Sequence, residues 1–437
     1  MKDGPLWQDI FISSKNFLEI RFSSELTPRQ KYIRFVGIKR LALATFVVQK
    51  YAKTNPKKEI LYVIAISIAL YEEQRYPEYT LVNQAVECMK HSYDKKIGAF
   101  GNFILRKIFA DPRLFQYKLN CEQIRWNAPF WWINYLKKQV DDNHLQNLLI
   151  DSLSQHPPLN VRLNKPQYIN QLSSDLRKIN RKIVKMSSHG LSVVPPCDLT
   201  QTSSFKKGLI SIQDLSSQRI IDLIQPKPDD NLLDICAAPG GKSLAIAVNR
   251  KCHLFSNDKS KTRLKMLEKE IVRIKNHLVT IPKVTSFNPL VPKQLKALLN
   301  LANAGFDYIV LDAPCSGSGI QRRHPEVPWT KTKEQLETLV TIQSKLLDAC
   351  WQILKNGGIL IYCTCSIFYN EGEGQIVTFL DRQKNVNRKS APGLIYPTIG
   401  KEHFLNYHVE NKLDNAELNY IGNDGFYYAM LEKQESC

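Results

Sequence analysis

The chain has 437 residues, 43% of them hydrophobic, and a formal net charge of +19. That length predicts two or three domains, and that apolar content is enough for packed cores, which excludes a chain disordered throughout. The surplus of positive charge suits a polyanionic partner, nucleic acid ahead of an anionic membrane, although a basic protein can carry such a charge without one.

In chain order, Lys2, Asp3 and Trp7 break the basic-then-apolar layout of a secretory signal. Residues 29–52 carry Ile33, Val36, Leu41, Leu43, Phe46 and Val47 at helical spacing. Residues 60–71 predict a buried helix, whose apolar run ends in Tyr71, Glu72 and Glu73 and is too short to span a bilayer. Further helices are expected over 79–91 and 102–109. Glycines are sparse and strand-like alternation is weak, so residues 1–125 read as an all-α domain. A cytoplasmic protein without membrane contact is the expectation.

Residues 126–205 read as a linking subdomain. Trp126, Trp131 and Trp132 form an aromatic cluster around a helix over 130–139, and His156, Pro157 and Pro158 break the chain. Leu159, Val161 and Leu163 alternate as in a short strand. A helix is expected over 168–186, with Leu172, Leu176, Ile179, Ile183 and Met186 on one side and Arg177, Arg181 and Lys185 stacked at four-residue steps. That stripe is either a solvated face or a phosphate contact.

From 206 to 437 strands and helices alternate, with strands predicted over 232–235, 253–256, 306–311 and 359–363. Such βαβ alternation predicts a parallel sheet with helices on both faces and ligands at the carboxyl ends of its strands.

Four motifs sit at those ends. The first strand runs into Cys236, Ala237, Ala238, Pro239, Gly240, Gly241 and Lys242, a turn of small residues that lets a ligand approach the backbone at a helix N-terminus. A phosphate-binding loop would need glycine at Cys236, and no dinucleotide-type glycine pattern is present. Asp258 ends the second strand, where an acidic residue can hold ribose hydroxyls or merely cap a helix. Asp312, Ala313, Pro314 and Cys315 end the third, and Arg322, Arg323, His324 and Pro325 follow within reach of a phosphate. Thr364, Cys365 and Ser366 end the fourth, and alternation places Cys363 and Cys365 on one side.

The ten cysteines (Cys88, Cys121, Cys197, Cys236, Cys252, Cys315, Cys350, Cys363, Cys365 and Cys437) form no paired C-x-x-C clusters, so no metal site is expected. Most free cysteines are packing residues, and a catalytic one needs a special context. Two strand ends each delivering a cysteine beside an Asp or a Thr and Ser provide one.

These motifs together resemble the Sun (Fmu) family of RNA cytosine C5-methyltransferases, over roughly residues 205–435. Gln213, Asp214, Ser217 and Gln218 look like the segment preceding that family's first strand. Residues 82–87 and 101–106 look like the NusB-like RNA-binding domain that some family members carry, which extends the resemblance over most of the chain. The implied fold is multidomain, an all-α NusB-like domain followed by an α/β Rossmann-like methyltransferase domain. The implied cofactor is S-adenosylmethionine, held by residues 236–242, Asp258, Arg263, Asn288 and Asp312. Asn288 stands where the family usually has an acid. After Cys365 the family often has Pro-Glu-Glu-Asn; here the loop reads Tyr369, Asn370, Glu371 and Gly372, so its support does not carry over by sequence alone.

The resemblance assigns attack on cytosine C6 to Cys365, a contact with the base to Asp312, and release after methyl transfer to Cys315. The implied partner is ribosomal RNA of the small subunit, met by a monomer. A rival of another class is a non-catalytic RNA-binding or ribosome assembly factor, which leaves the two cysteines unexplained. A DNA cytosine methyltransferase would use Cys315 as nucleophile.

Overall fold

The computed structural model describes residues 5–15, 17–19, 26–52, 56–111, 113, 121–140, 143–398, 400 and 415–435. Lys2, Asp3 and Cys437 lie outside the described residues. The chain divides into two compact units, Met1–Ser154 with Arg323–Thr332, and Gln155–Arg322 with Lys333–Cys437.

The first unit is helical: α1 (Leu6–Lys15), α2 (Pro28–Ile38), α3 (Leu41–Tyr51), α4 (Lys58–Glu72), α5 (Glu78–Ser92), α6 (Lys95–Phe109), α7 (Glu122–Trp126), α8 (Phe130–Lys137) and α9 (Asn143–Ser154). Helix α4 is buried around its whole circumference from Val63 to Leu70, because it forms the centre of a core with Ile33, Val47, Leu81, Met89, Ile104 and Ile108. The continuous helical spacing over 29–52 is broken at Lys39 and Arg40. There Asn127 donates to the Ile38 carbonyl at 2.9 Å and accepts from the Ala42 amide at 3.1 Å, so one side chain caps two helix ends. The segment Arg323–Thr332 packs with this unit: Trp329 lies against the helical core and Glu326 stands 3.9 Å from Arg34.

The second unit holds two sheets. Strands β1 (Leu159–Leu163), β2 (Lys182–Lys185), β3 (Gly190–Val194) and β4 (Ile210–Ile212) form an antiparallel sheet in the order β2-β3-β1-β4. The helix expected over 168–186 ends at Arg177. Asn180 takes a left-handed φ of 53°, and the β-branched Ile183 and Val184 pair with Val193 and Ser192 of β3. The basic stripe therefore does not exist as one helix face. Arg181 donates to the carbonyls of Ile179 and Asn180, and Lys182 pairs with Glu417.

The larger sheet has β5 (Asn231–Asp234), β6 (His253–Asn257), β7 (Lys283–Thr285), β8 (Phe306–Asp312), β9 (Leu354–Thr364), β10 (Val386–Ile395) and β11 (Phe426–Lys433), in the order β10-β11-β9-β8-β5-β6-β7. The five strands from β7 to β9 are parallel, and β11 and β10 run antiparallel at one edge. Alternation sends Leu233, Ile309, Leu311, Leu360, Tyr362 and Tyr427 to one face, packed with residues of the helices Lys333–Ile353 and Glu373–Arg382. Leu232, Val310, Ile361, Cys363, Phe426 and Tyr428 go to the other, packed with the helix Gly241–Asn249. Burial on both faces is what a parallel sheet requires. Connections leave β5 in opposite directions across the sheet, to β6 and, by way of β7, to β8, and this switch point opens a ligand crevice at its carboxyl end. Among the described residues no helix is long and apolar enough to cross a membrane.

Candidate active site

The small-residue turn after β5 lies in that crevice. Gly240 sits at φ 114°, and a Cβ there would stand 2.5 Å from Leu267, so glycine is required both for conformation and for space. At Gly241 an added Cβ would meet only Gln213, at 3.6 Å. The turn is fixed from β6: Ala237 N donates to the Asn257 carbonyl at 2.9 Å, and Ala238 N to Asp258 Oδ2 at 3.3 Å. Asp258 is buried, also accepts from Ser260 N at 2.8 Å, and has Arg263 at 3.4 Å; Arg263 in turn donates to the Ala238 carbonyl. Asp258 and Arg263 thus clasp one turn.

Beneath the turn Asp234 is fully buried and accepts from Ser243 Oγ at 2.5 Å, while its Oδ1 has no hydrogen-bond partner. Burial pushes its carboxyl up to about 7. Asn288 is held apart from these contacts. Its Oδ1 accepts from Leu290 N at 3.1 Å and its backbone amide donates to Gln294 at 2.6 Å, so in this structure it serves its own turn.

Lys242 is buried and donates to Asp312 Oδ2 at 2.7 Å, with its ammonium 4.5 Å from the centre of the Phe426 ring. Burial opposes the ammonium charge, but the Asp312 carboxylate, Cys363 and Asp234 together outweigh it and hold the Lys242 pKa above the usual range. Asp312 ends β8 opposite Cys363 of β9, which is buried and reaches Asp312 Oδ1 at 3.8 Å.

Cys315 and Cys365 meet just beyond these strand ends, with their sulfurs 3.4 Å apart. Both are partly exposed. The hydrogen bond with Cys365, then burial, then the nearby Cys365 and Glu371 charges push the Cys315 thiol well up, so it holds its proton at neutral pH.

The sequence reading named Glu371 only as part of a loop that departs from the family pattern; it is fully buried between the two cysteine loops and bonded by the Ser316 and Ser366 hydroxyls, which that reading did not foresee. An acidic residue six positions after Cys365 was the available signal. Arg322 was expected within reach of phosphate; it is instead wholly buried, donating to the carbonyls of Thr398 and Asn423 and to Asp424. Arg323, His324 and Pro325 lie in the helical unit. The nine described cysteines are free, and among the described residues no cluster of metal-ligating side chains occurs.

Comparison with known proteins adds the following. Residues 221–432 match the family model described as 16S rRNA methyltransferase RsmB/F. The chain is 30% identical to the ribosomal RNA small subunit methyltransferase B of Photorhabdus laumondii, over 86% of this chain and 83% of that one. It is 29% identical to the protein of the same name from Proteus mirabilis, over 79% and 83%. Among solved structures it resembles PH0851, with a TM-score of 0.73 and 20% identity over 99% of this chain and 100% of that one. It also resembles NSun6 from Pyrococcus horikoshii with SFG, with a TM-score of 0.55 and 19% identity over 70% and 99%. These two likenesses establish the methyltransferase fold.

Proposed function

Because the chain belongs to the RsmB/F family of 16S rRNA methyltransferases, we propose that it methylates C5 of a cytosine in small-subunit ribosomal RNA through a covalent adduct on Cys365. It is an S-adenosylmethionine-dependent rRNA methyltransferase. The observation that carries the finer reading is the pair of sulfurs 3.4 Å apart beside the Lys242–Asp312 ion pair, at the carboxyl edge of the sheet.

The residues fit the donor. The turn 236–242 leaves its backbone open at Gly241, Asp258 is a buried carboxylate with lone pairs to spare for ribose hydroxyls, and Asp234 Oδ1 is an unpaired acceptor beneath the turn. When bound, the donor supplies an electrophilic methyl group on a sulfonium sulfur. Arg263 supports Asp258, Asp312 faces the reacting end, and Asn288, whose Oδ1 serves its own turn, has its side-chain NH2 left for the adenine.

Cytosine C5 is too weak a nucleophile until C6 has been attacked. The Cys365 thiolate bonds to C6, the displaced electron pair moves toward N3, which takes a proton relayed through Asp312 from the Lys242 ammonium and returns it on release, and C5 becomes enamine-like. With the methyl group on C5, Cys315 takes the C5 proton and the C6–S bond breaks, returning Cys365 as thiolate. Cys315 is a thiol in the free site, its proton held by the hydrogen bond it shares with the Cys365 sulfur and by burial. Once Cys365 is bonded to carbon, the largest influence holding that proton is gone; Cys315, which is partly exposed, gives the proton up to solvent and as thiolate takes the C5 proton. The target base must be unstacked to reach the sulfurs, which favours looped RNA.

The reading includes a monomer in the cytoplasm, which sedimentation and cell fractionation test. For the reaction itself, labelled donor is mixed with small-subunit RNA, large-subunit RNA and DNA, and the product nucleoside is identified. Label in 5-methylcytosine of small-subunit RNA is expected. RNA binding without transfer would leave an assembly factor, and transfer to DNA would reassign the substrate.

A further inference from the structure

Glu371 touches none of the groups assigned to donor or base, yet it is a fully buried carboxylate at the centre of the catalytic edge. It lies in the short turn Tyr369–Glu371 after β9. Its Oε1 accepts from the Ser316 amide at 2.8 Å and from Gln343 Nε2 at 3.1 Å, and its Oε2 from the Ser316 hydroxyl at 2.5 Å and the Ser366 hydroxyl at 2.6 Å. Its main-chain carbonyl accepts from the Tyr362 hydroxyl at 2.8 Å, which fixes the turn against β9. Ser316 follows Cys315 and Ser366 follows Cys365. One carboxylate therefore grips the residue beside each sulfur.

A carboxylate carried into the interior is costly, and hydrogen bonds or a cation must compensate. No cation pairs with Glu371 among the described residues; the compensation comes from the donors just named. An ionised carboxylate is acceptor-only and has lone pairs for all of them. A glutamine in its place could keep its oxygen on the Ser316 amide and Gln343, but its NH2 would face the Ser316 and Ser366 hydroxyls, and both would have to turn from donor to acceptor. Burial pushes the Glu371 carboxyl up, and the hydrogen bonds from Ser316, Ser366 and Gln343 work against that by favouring the charged form.

We propose that Glu371 is a positioning residue for the methyl-transfer reaction: acting through Ser316 and Ser366, it sets the spacing of Cys315 and Cys365 so that both sulfurs address one base. This rests on the assignment of those two cysteines as the reacting thiols. Misplacing a reacting group by about 1 Å lowers rates by about a hundredfold.

The test uses the full chain with Glu371→Gln. The rate of Cys315–Cys365 disulfide formation with the thiol oxidant diamide, followed by peptide mapping, reads the spacing without RNA or methyl transfer. That rate is expected to fall at least about tenfold and kcat about a hundredfold, while KM for RNA and donor Kd stay within about twofold. Glu371→Asp keeps the charge on a shorter arm and should recover part of both rates. The double variant Ser316→Ala/Ser366→Ala should reproduce the defect, and adding Glu371→Gln to it should cost little more, since the three side chains act as a unit. An unchanged disulfide rate and kcat in folded Glu371→Gln overturns the proposal. So does a loss of donor affinity as large as the loss of kcat, which marks a merely structural tie. If Glu371→Gln does not fold, an unchanged disulfide rate and kcat in the double serine variant overturns it equally. A slower disulfide rate combined with full activity in Cys365→Ala would instead sink the catalytic assignment, leaving the spacing role of Glu371 without a reaction to serve.

Discussion

Cys315 Sγ lies 3.4 Å from Cys365 Sγ, although fifty residues separate them, because β8 and β9 are adjacent parallel strands that end side by side. The proposed mechanism gives the two thiols different moments of action. Cys365→Ala removes the attacking sulfur, so neither methylated product nor a protein–RNA adduct should form. Cys315→Ala leaves attack possible and blocks release, so a slower band should accumulate on a denaturing gel and vanish when Cys365→Ala is added. The reverse pattern would make Cys315 the nucleophile.

The clasp around the turn predicts a donor defect. Asp258→Ala deletes the acceptor for Ala238 N and Ser260 N together with the group assigned to the ribose. Affinity for S-adenosylmethionine should drop by about 1–3 kcal/mol through lost charge-assisted hydrogen bonds. Calorimetry showing unchanged binding would remove Asp258 from the donor site.

Asp234 predicts a pH effect on stability. Its folded pKa is raised to about 7 by burial, against about 3.9 in an unfolded chain. Between these values the folded state binds more protons, so stability falls as pH rises through that window and levels off above it. Asp234→Asn keeps an acceptor for Ser243 and cannot ionise. The difference in urea-unfolding free energy between the variant and the parent should grow in the variant's favour from pH 4 to pH 7; parallel profiles would refute the assignment.

Arg162 couples stability to the donor turn. It is wholly buried, donates to Gln213 Oε1 and Asn164 Oδ1 at 2.8 Å each, and Gln213 in turn donates to the Gly241 carbonyl at 3.1 Å. Burial pulls its pKa down to about 9. Arg162→Met should cost about 1–3 kcal/mol for each acceptor it strands and should also weaken donor binding. Loss of stability with donor affinity intact would confine Arg162 to packing.

RNA affinity should fall steeply with salt. Helix α6 carries Lys95, Lys96, Arg106 and Lys107 exposed, with no acidic residue among its fifteen. Changing these four to Gln should flatten the plot of log affinity against log salt by about 0.7 for each single-strand phosphate that they neutralise. A slope that does not respond would make this a solvated face.

The sequence by itself determined the helical character of the first part, the strands at 232–235, 253–256, 306–311 and 359–363, and the motifs at their ends. Helix periodicity, alternation and the small-residue turn depend on neighbours a few positions apart, so residues 60–71, Leu159–Leu163 and the turn 236–242 were legible without coordinates. The family resemblance supplied roles for Cys315, Cys365 and Asp258. Only the tertiary structure decided what distant partners impose. Asn127 breaks the helical run at Lys39 and Arg40 from more than eighty positions away. Pairing with β3 turns Ile183 and Val184 into a strand despite their helical spacing. Burial takes Arg322 from phosphate to carbonyls, and Glu371 becomes the common acceptor of two loops because β8 and β9 end together. Each outcome is set by which buried polar group finds which acceptor, and that matching is a property of the packed chain rather than of any local stretch of it.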